Sequence, residues 1–157
     1  MFIKGTIDGV RIKPMVKFAD ARGWLTELYR EDELDPEFHP VMGYLSMTSP
    51  GVTRGPHEHV EQADYFCFIG PSNFKVFLWD NRRLSPTYLN RQEVLAGEDA
   101  PLSILIPPGV VHAYRNVGAA PGMVVNVPNR LYAGEGKRLP VDEIRHEADP
   151  DSSYVPD

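Results

Sequence analysis

No stretch of this chain sustains the 3.6-residue apolar periodicity of an amphipathic helix, and that constrains its fold more than any other feature. Turn formers interrupt it instead, with 15 prolines and 13 glycines in 157 residues. Between them lie about ten short apolar or alternating runs, spaced at roughly eight to twelve residues, the pattern of a β-sandwich or barrel. A weakly alternating segment at 5–17 predicts an edge strand. Asp20-Ala-Arg-Gly23 predicts a turn, followed by a strand from Trp24. Residues 31–40 read as a loop with room for one helical turn. Strands are expected over 41–49, 63–70 and 73–82, the last two flanking Gly70-Pro71-Ser72 as a hairpin, and 52–59 reads as extended chain. Further strands are expected within 85–101 and at 102–109, 110–117 and 122–130. The whole of 1–157 is expected to form one domain. Its polar C-terminal extension, 131–157, is expected to hold a short helix near Val141–Glu147 and then fray.

Composition narrows the functional classes. The formal net charge of −6 disfavours non-specific binding to nucleic acid or an anionic membrane, while leaving room for a local basic pocket. A single cysteine, Cys67, rules out an intrachain disulfide framework and fits a reducing compartment. It lies inside an apolar run, where packing is its expected role. No apolar run approaches the roughly 20 residues of a membrane span. The first residues lack the pattern of a signal peptide, so the cytoplasm is the expected location.

The chemistry concentrates in Gly51–Gly70, GVTRGPHEHVEQADYFCFIG. Arg54, His57, His59, Glu61, Gln62 and Asp64 precede the apolar run Tyr65–Ile69. Two apart on a strand, His57 and His59 share a face. A third histidine, His112, sits in IPPGVVHAYRN. Two chemistries fit these residues. As a metal site, His57, His59 and His112 with Asp64 (or Glu61) offer the imidazole and carboxylate donors that divalent transition ions take. As a proton-transfer site, an imidazole with an unperturbed pKa of about 6.5 is suited to act as general base near neutral pH. His39 and His146 read as surface residues.

The stretches around the histidines resemble the two motifs of the cupin superfamily. Gly51, His57, His59, Asp64 and Gly70 carry the first, and Pro107, Gly109, His112 and Asn116 the second. The resemblance implies an all-β, cupin-type double-sheet jelly roll with a short C-terminal helical or irregular segment. Four motifs, in order over residues 5–135, narrow it further. They are Phe18-x-Asp20-x-Arg22-Gly23-Trp24-x-x-Glu27, Gly51-Val-x-Arg54-Gly55-x-His57 with Gln62, Ser85-Pro86-Thr87-Tyr88, and Ile106-Pro107-x-Gly109-x-x-His112. Together they resemble the dTDP-4-dehydrorhamnose 3,5-epimerase family. That resemblance implies an isomerase acting on a nucleotide-linked 4-keto-6-deoxyhexose by taking a proton from a carbon beside the keto group. It implies no cofactor, no metal and a homodimer. His57 would be the base; this chain's own candidates for auxiliary acid/base groups are His59 and His112, and for an acid Tyr132. Arg22 and Arg54 would clamp the diphosphate, for which planar guanidinium groups are suited. Glu27 and Gln62 would also line the substrate site.

The chain departs from that family at telling positions. Asp64 stands where the family has a lysine thought to stabilise the enolate oxygen, and a carboxylate opposes a forming oxyanion. The family's acid tyrosine corresponds to Val125 or Asn126. The family's Leu-Ser-x-x-Asp, whose aspartate orients the base, is missing, which leaves Asp142, Asp149 or Asp151 for that role. His59 replaces a glutamine. The resulting Arg54-Gly-Pro-His57-Glu-His59, with Gln62, is similar to the dTDP-4-keto-6-deoxyglucose 3,4-ketoisomerases, which use both histidines. A ketoisomerase on the same substrate class is therefore one alternative. A metal-dependent cupin on His57, His59, Asp64 and His112 is another, and a non-catalytic sugar-nucleotide-binding protein a third.

Overall fold

Two sheets face each other in the computed structural model, which describes residues 1–157. Thirteen strands follow in chain order: β1 Ile3–Lys4, β2 Arg11–Pro14, β3 Phe18–Asp20, β4 Gly23–Leu25, β5 Tyr44–Thr48, β6 Thr53–Glu58, β7 Asp64–Phe68, β8 Asn73–Asp80, β9 Asn90–Gly97, β10 Leu102–Ile106, β11 Val110–Asn116, β12 Gly122–Asn126 and β13 Ile144–Arg145. One sheet has the order β1-β9-β8-β11-β6-β13 and the other β2-β10-β7-β12-β5, while β3 and β4 form a separate hairpin. This is the all-β jelly roll of cupin type. No helix is long and apolar enough to cross a membrane.

Alternation along the strands decides what each face carries. Phe66 and Phe68 of β7, Ile104 and Ile106 of β10, and Phe74, Val76 and Leu78 of β8 point between the sheets and form the main core. The opposite faces are buried as well. Tyr65 and Cys67 lie under Phe38, Leu28 and Leu34 of the long crossing from β4 to β5. Phe77 and Trp79 lie under Phe2 and Tyr154, contributed by the two ends of the chain. Coverage on both sides explains why β7 and β8 read as nearly unbroken apolar runs.

Three expectations are corrected. The segments 63–70 and 73–82 do not form a hairpin: β7 pairs with β10 and β12, and β8 with β9 and β11. Positive φ at Gly70 (107°) and Ser72 (74°) carries the chain across to the facing sheet instead of back along its own. The segment 5–17 does hold an edge strand, shorter than expected: only β2, Arg11–Pro14, pairs, at the edge of its sheet beside β10. No helix forms near Val141–Glu147. Ile144 and Arg145 pair with Glu58 and His57 as β13, followed by a single 3-10 turn at His146–Ala148. The end of the chain does not fray: Lys75 Nζ donates to Asp157 O (2.8 Å) and Arg115 to Pro156 O (3.0 Å).

Candidate active site

The site lies between the sheets at one end, where β6 and β11 meet. On a regular strand Arg54 and His57, three residues apart, would face opposite ways. Here a bulge intervenes. His57 pairs with His112 and Arg54 with Tyr114, so three steps on β6 match two on β11. Both side chains therefore sit opposite residues of the inner face. Gly55, at the bulge, has φ of 81°, and a Cβ there would meet the His112 carbonyl oxygen at 2.6 Å. The Arg54-Gly55-x-His57 spacing thus has a backbone cause.

The three imidazoles cluster. Ring centroids of His57 and His112 are 4.4 Å apart, of His57 and His59 5.4 Å, and of His59 and His112 5.7 Å. Asp64, at the start of β7 on the facing sheet, reaches both inner rings, 3.0 Å from His59 Nε2 and 3.3 Å from His112 Nε2 through Oδ2. Its other oxygen accepts from the Gln62 amide (2.9 Å) and the Asn126 amide (2.8 Å). Gln62 Nε2 also lies 3.3 Å from His59 Nε2. Burial alone would raise the Asp64 carboxyl, but the hydrogen bonds and charges of His112 and His59 outweigh it and hold the group far below the usual carboxylate range. For His59, burial alone would lower the imidazole, yet the hydrogen bond and charge of Asp64 raise it to about 8. His57 moves the other way. Burial, then the charges of His112 and His59, push it well below the ordinary imidazole range and keep it neutral.

The C-terminal segment closes one side. The Asp142 carboxylate accepts the backbone N–H groups of Val60 (2.8 Å), Glu61 (2.9 Å) and Gln62 (2.8 Å), pinning the loop after β6. Its main-chain oxygen accepts from His59 Nδ1. Next along, Glu143 Oε1 stands 3.9 Å from His57 Nδ1. Glu143 is thus the carboxylate beside His57, and Asp149 and Asp151 are exposed elsewhere on the tail. A sequence signal existed. Leu139-Pro-Val-Asp-Glu143 has the spacing of Leu-Ser-x-x-Asp, with a carboxylate one methylene longer.

Other expected residues are dispersed. Arg54 donates to Thr48 Oγ1 (2.9 Å) and the Met47 carbonyl (2.8 Å) beside the bulge. Arg22 is exposed at the β3–β4 turn and pairs only with Asp20. Glu27 pairs with Arg30 at 3.6 Å and Glu61 with Arg130 at 3.1 Å, all of them exposed. Tyr132 is 55% exposed on a loop. Neither Arg22, Glu27, Glu61 nor Tyr132 has a polar contact with the histidine cluster. His146 is not a free surface residue, because its Nε2 lies 2.9 Å from Glu58 Oε1 and its ring lies against Tyr154. Sequence reasoning missed Tyr44. It pairs with Asn126 across β5 and β12, and its hydroxyl accepts the Asn126 amide at 2.8 Å. Burial of the hydroxyl and the charge of Asp64 raise this phenol, so it keeps its proton.

The fold, and the way its histidines face one another between the sheets, are those of a cupin. Within that class the assignment is narrower: a profile of the dTDP-4-dehydrorhamnose 3,5-epimerase family matches residues 4–139, and the chain belongs to that family. It is an enzyme of the isomerase kind that defines the family. Similar proteins include the probable low-salt glycan biosynthesis epimerase Agl13 of Haloferax volcanii, 36% identical over 141 residues, or 87% of this chain and 89% of that protein. The spore coat polysaccharide biosynthesis protein SpsL of Bacillus subtilis is 36% identical over 140 residues, covering 87% and 91%. Among solved structures, a dTDP sugar isomerase from Desulfovibrio desulfuricans superposes with a TM-score of 0.78 at 22% identity, covering 96% of this chain and 90% of that one. At that identity the superposition speaks for the fold.

Proposed function

We propose that this protein epimerises a dTDP-linked 4-keto-6-deoxyhexose, with His57 as the base. The observation that carries the reading is the position of His57. It is the most open of the three clustered imidazoles, and Glu143 stands behind its Nδ1. A carboxylate there favours the tautomer that leaves Nε2 basic and steadies the imidazolium formed on proton transfer. A hydrogen on a carbon next to a ketone is acidic because the anion left behind is an enolate. His57 takes it. Reprotonation from the other face inverts the centre, and Tyr44, a neutral phenol on the facing sheet, is the group we assign to that step. Arg54 supplies charge for the diphosphate. A structure of a Legionella pneumophila relative holds dTDP-4-keto-L-rhamnose, and its TM-score of 0.75 at 20% identity supports a common scaffold for such a ligand.

The ketoisomerase alternative asks for two bases at the substrate. His59 has one nitrogen against the Asp142 carbonyl and the other against Asp64, which favours the single-base reading. We further propose a cytoplasmic homodimer. The buried lone cysteine fits a reducing compartment. Strand β5 is an unpaired sheet edge that exposes Leu45 and Met47, a surface suited to pairing with a second copy. Light scattering tests the dimer. The reaction is tested by deuterium entry from heavy water into C3 or C5 of a dTDP-4-keto-6-deoxyhexose. Exchange that disappears in His57→Ala supports the assignment. Tight binding of the sugar nucleotide without exchange in the wild type overturns it.

A further inference from the structure

Tyr44, the group assigned to reprotonation, is held by an amide whose hydrogen bonds can all be traced. On β12, Gly122, Val124 and Asn126 alternate onto the face between the sheets, where Val124 joins the main core. Strand β5 runs beside it, with Ser46 opposite Val124 and Tyr44 opposite Asn126. Asn126 is fully buried. Its Oδ1 accepts the backbone N–H of Tyr65 at 3.0 Å, and a backbone N–H can only donate. That contact settles which end of the amide is which. Both Nδ2 hydrogens are then engaged, one by Asp64 Oδ1 and one by the Tyr44 hydroxyl oxygen, each at 2.8 Å. The Tyr44 oxygen accepts from Asn126, so its own hydrogen must point elsewhere. Asn126 is the only hydrogen-bond partner of that hydroxyl, and the tyrosine is 44% exposed, which leaves the hydrogen free for a molecule in the cleft.

We propose that Asn126 is a positioning residue: by donating to the Tyr44 oxygen it turns the hydroxyl hydrogen toward the substrate carbon and steadies the charge left on that oxygen once the proton has gone. The inference rests on the epimerase reading, with His57 as base. In the first step the C–H bond breaks, His57 Nε2 gains the proton and the electron pair becomes the enolate. In the return step that pair forms a new C–H bond with the Tyr44 hydrogen on the opposite face, and the O–H pair stays on oxygen as phenolate. Exchange with solvent then restores the proton of Tyr44 and removes the one on His57. Burial and the charge of Asp64 oppose a phenolate here, and the hydrogen bond from Asn126 works against both. That bond strengthens as the charge forms, because one to an ionised oxygen is roughly twice as strong as one to a neutral oxygen. Asn126 also keeps donor and carboxylate apart. Tyr44 Oη and Asp64 Oδ1 are neighbours across the same nitrogen. With the amide gone, Asp64 Oδ1 lacks a donor and the phenol turns its hydrogen there, away from the substrate.

The test scores two events in one reaction, deuterium entry at the carbon and the configuration of the product. His57 alone exchanges a proton on its own face, whereas inversion also needs Tyr44. Tyr44→Phe should keep exchange within about threefold and lower inversion at least a hundredfold. Asn126→Ala should lower the ratio of inversion to exchange at least tenfold, but less than about twofold when Tyr44 is already Phe. Equal falls in both backgrounds overturn the role of Asn126. A ratio unmoved by Tyr44→Phe overturns the roles of both residues and leaves that of His57. Because Asn126→Ala can misfold, a second measurement leaves Asn126 in place. In the unliganded protein, Tyr44→Phe should speed solvent exchange of one Asn126 side-chain hydrogen at least tenfold, seen by NMR, while the hydrogen bound to Asp64 stays protected. If neither hydrogen responds, Asn126 does not hold Tyr44 and the inference fails. A wild type that binds the sugar nucleotide without any isotope exchange overturns the epimerase reading and this inference with it.

Discussion

Replacing Glu143 with glutamine asks whether the pocket compensates for what burial does to His57. Burial and two neighbouring imidazoles hold that ring well below its ordinary range, and Arg145 adds to the effect. A base so reluctant to accept a proton needs a counter-charge when the proton arrives. Glu143 Oε1 lies 3.9 Å from Nδ1, and the two side chains are 16% and 18% exposed. Two unit charges at that distance attract by about 1 kcal/mol in water and about 4 kcal/mol at an effective dielectric constant near 20. Arg145 shares the carboxylate at 2.8 Å, which places the interaction nearer the middle of that range. A loss of about 2 kcal/mol corresponds to a roughly 30-fold fall in rate. Glutamine keeps the shape, so the effect should fall on kcat, with KM within about twofold. The assay is the initial rate of deuterium incorporation at saturating substrate. If Glu143→Gln retains kcat within about threefold while His57→Ala is inactive, the pairing argument fails.

Three further perturbations probe the scaffold. Asp80 accepts from Arg82 Nε (2.8 Å), Ser85 Oγ (2.6 Å) and Thr87 Oγ1 (2.6 Å), which is the structural content of the Ser85–Tyr88 motif. Burial would raise its carboxyl, but Arg82 and the hydroxyls outweigh it and lower it from 3.8 to about 2. A depressed folded value means stability that is present above the unfolded pKa and lost as pH falls toward about 2. Asp80→Asn should therefore cost about 2 kcal/mol in urea melts near neutrality, with the gap to wild type closing below about pH 3; a gap independent of pH contradicts this. Gly55→Ala places a Cβ 2.6 Å from the His112 carbonyl at φ of 81°, and should lose at least about 2 kcal/mol together with isotope exchange, whereas an unchanged Tm and rate would refute the bulge argument. Tyr154→Ala uncovers Trp79, 5.9 Å from its ring; we expect a loss of about 2 kcal/mol and red-shifted tryptophan emission, and unchanged emission would mean the tail is not the cover.

What was legible in the sequence was local. Alternation marked the core strands, and the spacing of His57 and His59 correctly put both rings on one side of the site. The missed features depend on how distant segments meet. Nothing in Gly70-Pro71-Ser72 distinguishes a hairpin from a switch between sheets, because both need positive φ beside buried strands. The segment 131–157 looked like a loose acidic tail because its anchors are elsewhere: Glu58 for His146, Trp79 for Tyr154, Arg115 for the carbonyl of Pro156. Tyr44 was hidden for the same reason, since only the pairing of β5 with β12 sets it against Asn126. Glu143 alone had a readable signal, its spacing from Leu139.

The departures from the family pattern at positions 59 and 64 are best understood together. A carboxylate in place of a lysine would reverse the charge next to a forming oxyanion. Asp64 does not stand alone, however. The glutamine-to-histidine change at 59 brings a second imidazole to Asp64, 3.0 Å away, and His112 brings the other. Asp64 in turn raises His59 to about 8, so the imidazolium at 59 offsets the carboxylate at 64 instead of leaving it bare beside a forming oxyanion. On this account the two substitutions act as a pair, the histidine at 59 compensating the charge of the carboxylate at 64. Reverting either one singly, Asp64→Lys or His59→Gln, should then be worse for isotope exchange than making both, because Asp64→Lys alone sets an ammonium against His59 and His59→Gln alone leaves the buried carboxylate without its imidazole partner. A double reversion that recovers exchange relative to both single variants supports this coupling. Strict additivity of the two losses refutes it.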